Sequence, residues 1–318
     1  MKRLKILSWI LFAILTVVIV LNRQVLFDLI RGIFYMPTPE MLVVRGNLGL
    51  TSRGELLFNA SYPELDTKEV FNEKCRKNDD TSAILGCYTE QKIYVYDIKD
   101  EELDGIVELT TAHELLHAVY ERMSIGDRDN LKASLEKVLS DNREILGKEI
   151  EIYDETEQLE ELYVRAGTEI KKLPQELEEH YKQYFNDQDR IVDFYNKYIK
   201  VFREIENEFE ILENEMVDLN NQIDTKTENY KNGIAVLNSE IERFNNCADT
   251  PGCFSDDYDF YVRRNELLYR QNELQNLYDE IDGLINKYNI DVEKFNNNIM
   301  RSENLQNKIN SYERVNEL

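Results

Sequence analysis

Apolar residues recur at spacings of three and four along the C-terminal part of this chain of 318 residues. One apolar run covers residues 202–244 and a second covers 274–312, and turn-forming residues, including a Pro-Gly pair, lie between them at 245–253. Spacing of this kind is typical of coiled-coil helices, because it places the apolar side chains in one stripe. The two runs predict an antiparallel coiled-coil hairpin over residues 191–318, with another protein as a candidate partner.

A possible metal site lies in a second region of the chain. Residues 113–117 are His-Glu-Leu-Leu-His, in a chain that has only three histidines. On a helix, residues four apart share a face, so His113 and His117 can bind one metal ion. Glu114 lies between them and can reach a water molecule that the metal activates. The alternative is a helix surface with two solvated histidines.

The pentapeptide resembles the H-E-x-x-H motif of the zincin metallopeptidases. The longer metzincin motif is absent, because Tyr120 and Met123 stand where its Gly and His would be. Residues 160–169 resemble the glutamate helix of the gluzincins, and Glu161 stands at the position of the metal ligand. The resemblance covers roughly residues 40–190.

The resemblance implies a Zn²⁺ ion held by His113, His117 and Glu161, with a fourth position left for water. It also implies hydrolysis of a peptide or protein substrate, with Glu114 as the general base. In zincins an edge strand pairs with the extended substrate, and the strand expected at 92–96 is the candidate here.

Two parts of the site remain open between alternatives. Glu169 lies on the same expected helix as Glu161 and is the second candidate for the third ligand, and His180 or another residue is a further alternative. His180 is a candidate catalytic residue that would stabilise the oxyanion, and Tyr163 and Tyr181 compete with it for this role. The alternative for His180 is an ordinary, partly buried helix residue.

The expected fold class is α+β, with a small zincin-like metallopeptidase domain at residues 41–190. Short strands are expected at 41–45 and 55–58, because these segments are apolar and have glycines nearby. A hairpin is expected from 84–88 and 92–96, which are rich in aromatic and β-branched residues. The period of the apolar residues then becomes helical.

The N-terminal residues have the pattern of a membrane anchor. Residues 1–5 are basic, and residues 6–21 are apolar apart from Ser8 and Thr16. We expect an uncleaved transmembrane helix at 1–24, followed by a juxtamembrane linker at 25–40. The basic residues before the span indicate a single-pass protein of the cell membrane, with a cytoplasmic N-terminus and the catalytic domain outside. A cleaved signal peptide is the alternative.

The four cysteines fit an oxidising compartment. Cys75 and Cys87 are twelve residues apart, and Cys247 and Cys253 are six apart. Because neither pair has C-x-x-C spacing, two local disulfides are favoured over a structural zinc site, although four cysteines allow other connectivities. The formal charge of −24 disfavours binding to nucleic acid, because the phosphate backbone is also negative.

Together these patterns predict a membrane-anchored, extracytoplasmic zinc metallopeptidase. The alternative is an interaction or spacer protein that carries a metal-binding zincin-like domain without catalytic activity. The intact motif favours the enzyme, because loss of Glu114 would be the simplest route to an inactive protein.

Overall fold

A computed structural model describes residues 16, 17, 20, 23–75, 84–151 and 153–310 of the chain. Most of these residues are helical, and three short strands form one sheet. The helices are α1 (Arg23–Phe34), α2 (Pro39–Leu48), α3 (Ser52–Ala60), α4 (Lys68–Lys74), α5 (Ile106–Arg122), α6 (Ile125–Asp141), α7 (Arg143–Ile150), α8 (Glu155–Glu169), α9 (Gln175–Tyr181), α10 (Gln188–Ala248) and α11 (Asp257–Ile309).

The expected α+β class is wrong, and the chain is mostly helical. Two segments assigned to strands, 41–45 and 55–58, lie in helices α2 and α3. Thr38 caps α2 and Thr51 caps α3, each through a side-chain oxygen that accepts a backbone N–H, and Pro39 occupies the first turn of α2. These caps favour helix initiation, and they outweigh the strand propensity of a short apolar run.

The sheet has the strand order β1-β3-β2, from β1 (Glu64–Asp66), β2 (Gly86–Thr89) and β3 (Lys92–Tyr96). The predicted hairpin is confirmed, because β2 and β3 pair antiparallel. Glu90 and Gln91 connect them with positive φ angles, as a tight two-residue hairpin turn requires. Since β1 pairs parallel with β3, β3 is the central strand and β2 is an edge strand. The expectation that 92–96 is the edge strand is therefore wrong.

The chain divides into two compact units. One comprises the described residues up to Phe202 and those from Leu305 onward, and the other comprises Arg203–Asn304. The second unit consists of α10 and α11 segments that run antiparallel. Their pairing is defined by ring contacts and ion pairs between the two helices: Phe209 with Phe295, Tyr230 with Tyr278, Lys226 with Glu280, and Arg270 with Glu240.

The core of the first unit brings α5 and α8 together. Leu115 and Leu116 of α5 are fully buried, as is Val164 of α8. Gly167 permits the close packing, because a methyl group at this position would lie 2.6 Å from Leu116 Cδ1 and 2.8 Å from Tyr181 Cε1. The two helices that carry the candidate ligands are therefore held against each other by the core.

Two disulfides join the cysteines as local pairs. Cys75 bonds to Cys87 of β2, and Cys247 bonds to Cys253 in the turn between α10 and α11. The two local disulfides that the sequence favoured are confirmed, and the other connectivities are excluded. Disulfides are typical of proteins that fold in an oxidising compartment.

The structure contradicts the expected membrane anchor at residues 1–24. Across the described residues, no helix combines the length and the apolar character needed to cross a membrane. Residues 1–15, 18, 19, 21 and 22 of the expected anchor lie outside the described part of the chain. The same finding contradicts the expected single-pass location at the cell membrane. Residues 23–34, most of which belong to the expected linker, form helix α1.

Candidate metal centre

Helix α5 places His113 and His117 one turn apart on the same face. Their ring centroids are 5.1 Å apart. Both side chains are partly exposed, at 23% and 21%, whereas Glu114 between them is buried, with only 6% of its surface exposed. The opposite side of the helix packs in the core, so the histidines face a cavity of about 730 Å³.

Helix α8 adds a carboxylate to the two histidines. Glu161 Oε1 lies 3.8 Å from His113 Nε2, and Glu161 Oε2 lies 3.6 Å from His117 Nε2. One ligand atom from each residue can be chosen so that all three lie within 4.8 Å of one another. His113, His117 and Glu161 therefore form a group that could hold a metal ion. Two imidazoles and one carboxylate suit several divalent metals, so the donor set alone does not fix the metal.

Neighbouring side chains orient these three residues. Glu160 Oε1 lies 2.8 Å from His117 Nδ1. A proton on Nδ1 donated to this carboxylate leaves Nε2 as the acceptor for a metal ion, an arrangement common around metal-binding histidines. Arg165 Nε donates to Glu161 Oε1 at 2.8 Å, and Arg165 Nη1 donates to Glu169 Oε1 at 3.1 Å. The structure therefore places Glu161 with the histidines and pairs Glu169 with Arg165.

Of the three candidate ligands, His113 and Glu161 have protonation states that suit a metal ion. Burial lowers the pKa of His113 to about 3, although the Glu161 carboxylate acts in the opposite direction. Burial also acts to lower the pKa of His117, but the hydrogen bond to Glu160 and the nearby carboxylates outweigh it and raise the pKa. For Glu161, burial acts to raise the pKa, but the two histidines and a nearby guanidinium lower it overall. At neutral pH, His113 is therefore neutral and Glu161 is ionised, which are the forms that bind metal.

The side chain of Glu114 lies against strand β2. A methyl group at Gly86 would lie 2.7 Å from Glu114 Oε1 and 2.6 Å from Thr110 Cγ2. The missing side chain at Gly86 thus leaves room for the Glu114 carboxylate between α5 and the edge strand. Glu114, Gly86 and the two histidines all line the same cavity.

His180 lies elsewhere in the first unit and does not line this cavity. Its Nε2 is 2.9 Å from the Tyr163 hydroxyl, and its ring contacts Tyr181 and Tyr184. Burial lowers the pKa of His180 to about 4. Tyr163 and Tyr181, the alternatives to His180 for stabilising the oxyanion, are fully buried and do not line the cavity either. The structure therefore gives His180 the place of a packed helix residue and does not bring it to the metal group.

The cavity also contains residues that the sequence analysis missed. Tyr195 and Tyr198, at the start of α10, line it together with Tyr153. The spacing of Tyr195 and Tyr198 is a signal that they share a helix face, but the sequence does not indicate that this face lines the cavity. The wall closest to Glu114 includes the edge strand β2, whereas the sequence favoured residues 92–96 as the edge strand.

Comparisons with protein-family models, curated proteins and solved structures give no match to this chain. The geometry of the metal group and its cavity therefore provides the basis for a functional proposal.

Proposed function

We propose that this chain is a zinc-dependent metallopeptidase. The observation that carries the proposal is the convergence of His113, His117 and Glu161 at a cavity that the buried Glu114 also lines. The proposed reaction is hydrolysis of a peptide bond, and the proposed substrate is a peptide or protein.

The donor set fits catalytic zinc. Catalytic zinc sites commonly have three protein ligands from nitrogen and oxygen donors and keep one position for water or substrate. Cysteine thiolates, which are typical of structural zinc sites, do not compete here, because all four cysteines are in disulfides. When bound, zinc supplies a Lewis acid that lowers the pKa of water and polarises a carbonyl group.

The residues around the group have distinct proposed roles. Glu114 accepts a proton from the attacking water and passes it to the leaving amine, so it acts as both base and acid. Glu114 is buried and lines the cavity beside His113, where a substrate would bind. Glu160 holds the His117 ring in one orientation through Nδ1.

The edge strand β2 is the proposed binding surface for the substrate backbone. One side of β2 pairs with β3, and residues 85–89 line the cavity beside His113 and Glu114. An extended peptide can add to such an edge through backbone hydrogen bonds. The disulfide from Cys87 to Cys75 ties the same strand to the residue that follows α4. A peptide on β2 would then pass close to the general base.

Replacement of Glu114 by glutamine tests this proposal. Glu114→Gln keeps the shape of the side chain but removes the proton acceptor. We expect full zinc binding and a loss of peptide cleavage of roughly 10²- to 10⁴-fold, the usual contribution of a general base. Glu108→Gln is the matched control, because Glu108 lies on the same helix but outside this cavity. Equal cleavage by the wild type and Glu114→Gln would contradict the proposal. Absence of cleavage in both, with zinc bound, would favour the non-catalytic spacer.

A further inference from the structure

The hydrogen-bonded side chains of Asp28, Arg122 and Tyr88 form a buried polar relay that joins three elements of the first unit. Asp28 of α1 is only 2% exposed, and the side chain of Arg122, at the end of α5, is 8% exposed. Arg122 donates to both carboxylate oxygens of Asp28 at 3.0–3.2 Å. It also donates from Nη1 to the hydroxyl of Tyr88 on β2 at 2.9 Å and to the Ala118 carbonyl at 2.8 Å. One guanidinium therefore links α1, the last turn of α5 and the edge strand.

The relay holds β2 against α5 at a second point. Gly86 and Tyr88 are two residues apart, so they lie on the same face of the strand. Gly86 packs against Glu114, and the Tyr88 hydroxyl bonds to Arg122 and to Glu121. Strand β2 is thus held against α5 at Gly86, beside Glu114, and again at Tyr88.

Stability alone does not account for a relay of this kind. A buried ion pair loses the hydration of both charges, and apolar side chains of similar volume often stabilise a fold as well or better. What the pair does provide is directional bonding. The planar guanidinium of Arg122 donates in fixed directions to Asp28 and Tyr88, and so defines one arrangement of the three elements.

We propose that Asp28, Arg122 and Tyr88 are positioning residues that set the edge of β2 relative to Glu114 for substrate binding. This inference rests on the proposed peptidase function, because it assigns β2 to the substrate. It makes α1 a contributor to substrate affinity, although Asp28 does not line the cavity.

Two conservative variants of the full chain test the relay. Tyr88→Phe removes one hydroxyl, and Asp28→Asn removes the charge that holds Arg122. We expect each to raise KM for a peptide substrate by about tenfold, the effect of losing a hydrogen bond to a charged group. The kcat and the zinc affinity should stay within about twofold of the wild type, because the ligands and Glu114 are untouched. Amide exchange of residues 86–89 should become faster in both variants.

The controls separate positioning from other effects. Tyr96→Phe, on the central strand and outside the cavity lining, should leave KM and exchange unchanged. Because Tyr88 lines the cavity, a KM effect of Tyr88→Phe alone would indicate direct substrate contact. Unchanged KM and unchanged exchange in Asp28→Asn would overturn the relay. If Asp28→Asn does not fold, unchanged exchange at residues 86–89 in Tyr88→Phe overturns it. If the wild type cleaves no peptide, the proposed function fails, and amide exchange still decides whether the relay positions β2.

Discussion

At the scale of single residues, the contact between Gly86 and Glu114 is the most sensitive part of the site. A methyl group at position 86 would lie 2.7 Å from Glu114 Oε1, which is closer than the atoms can approach without movement. Because α5 is fixed by the core, we expect the Glu114 side chain to move away from the added methyl group. The position of Glu114, the proposed general base, therefore depends on Gly86, which has no reactive side chain.

We expect Gly86→Ala to lower kcat for peptide cleavage by about 10²-fold, the cost of a displacement of roughly 1 Å in an active site. Zinc affinity should not change, because the atoms nearest the added methyl group belong to Thr110 and Glu114 and not to a candidate ligand. Gly46→Ala is the matched control, since a methyl group there meets nothing within 4 Å. Steady-state kinetics and zinc titration of both variants are the measurements. Unchanged kinetics in Gly86→Ala would show that Glu114 needs no fixed position.

His180 gives a prediction about pH and stability. Burial lowers its pKa to about 4 in the folded chain, whereas the pKa in the unfolded chain is about 6.5. Between these values the unfolded state binds the proton and the folded state does not. The free energy of unfolding therefore falls as the pH falls from about 6.5 to about 4, by at most about 1.4 kcal/mol per pH unit from this group.

The measurement is chemical denaturation at pH 7 and pH 5 for the wild type and His180→Gln. The variant should lose less stability between the two pH values than the wild type loses. Because the comparison is between the variant and the wild type, the contributions of other titrating groups cancel. Equal losses would mean that His180 has the same pKa in the folded and the unfolded chain.

At the scale of helices and strands, local signals explain which parts were predictable. The hairpin of β2 and β3 followed from aromatic and β-branched residues, and the helical motif followed from its own spacing. The strand predictions for 41–45 and 55–58 were wrong, because a short apolar run fits a strand or a buried helix equally well. Thr38 and Thr51 were the signals that decide between the two.

In the site, too, the residues set by local sequence were predictable, whereas contacts between separate helices were not. His113, Glu114 and His117 lie within five residues, so helix geometry alone places them together. Glu161 was assigned through a resemblance, and its contact with the histidines depends on how α8 packs against α5. The surroundings of His180 come from the rings of Tyr163 and Tyr184, which a sequence does not position.

At the scale of the whole molecule, the metal group and its cavity belong entirely to the first unit. Tyr195 and Tyr198, near the start of α10, line the cavity, so this part of α10 belongs with the metal group. The boundary at Arg203 and Asn304 keeps these residues in the first unit.

We therefore expect replacement of Arg203–Asn304 by a short flexible linker to leave zinc stoichiometry and affinity unchanged. The residues retained include all three candidate ligands and every residue that lines the cavity. Isothermal titration with zinc and far-ultraviolet circular dichroism check the result. A folded variant that no longer binds zinc would show that the second unit is needed for the site.

The most direct test of the central claim is the zinc affinity of the wild type, Glu161→Gln and Glu157→Gln. Glu157 is the matched control, because it lines the same cavity from the same helix but is not part of the metal group. We expect the wild type and Glu157→Gln to bind about one zinc ion with equal affinity. Glu161→Gln should lose more than the roughly 10- to 100-fold that removal of a ligand's hydrogen-bond partner costs. A wild type that binds no zinc, or equal zinc affinity in all three proteins, would contradict the account.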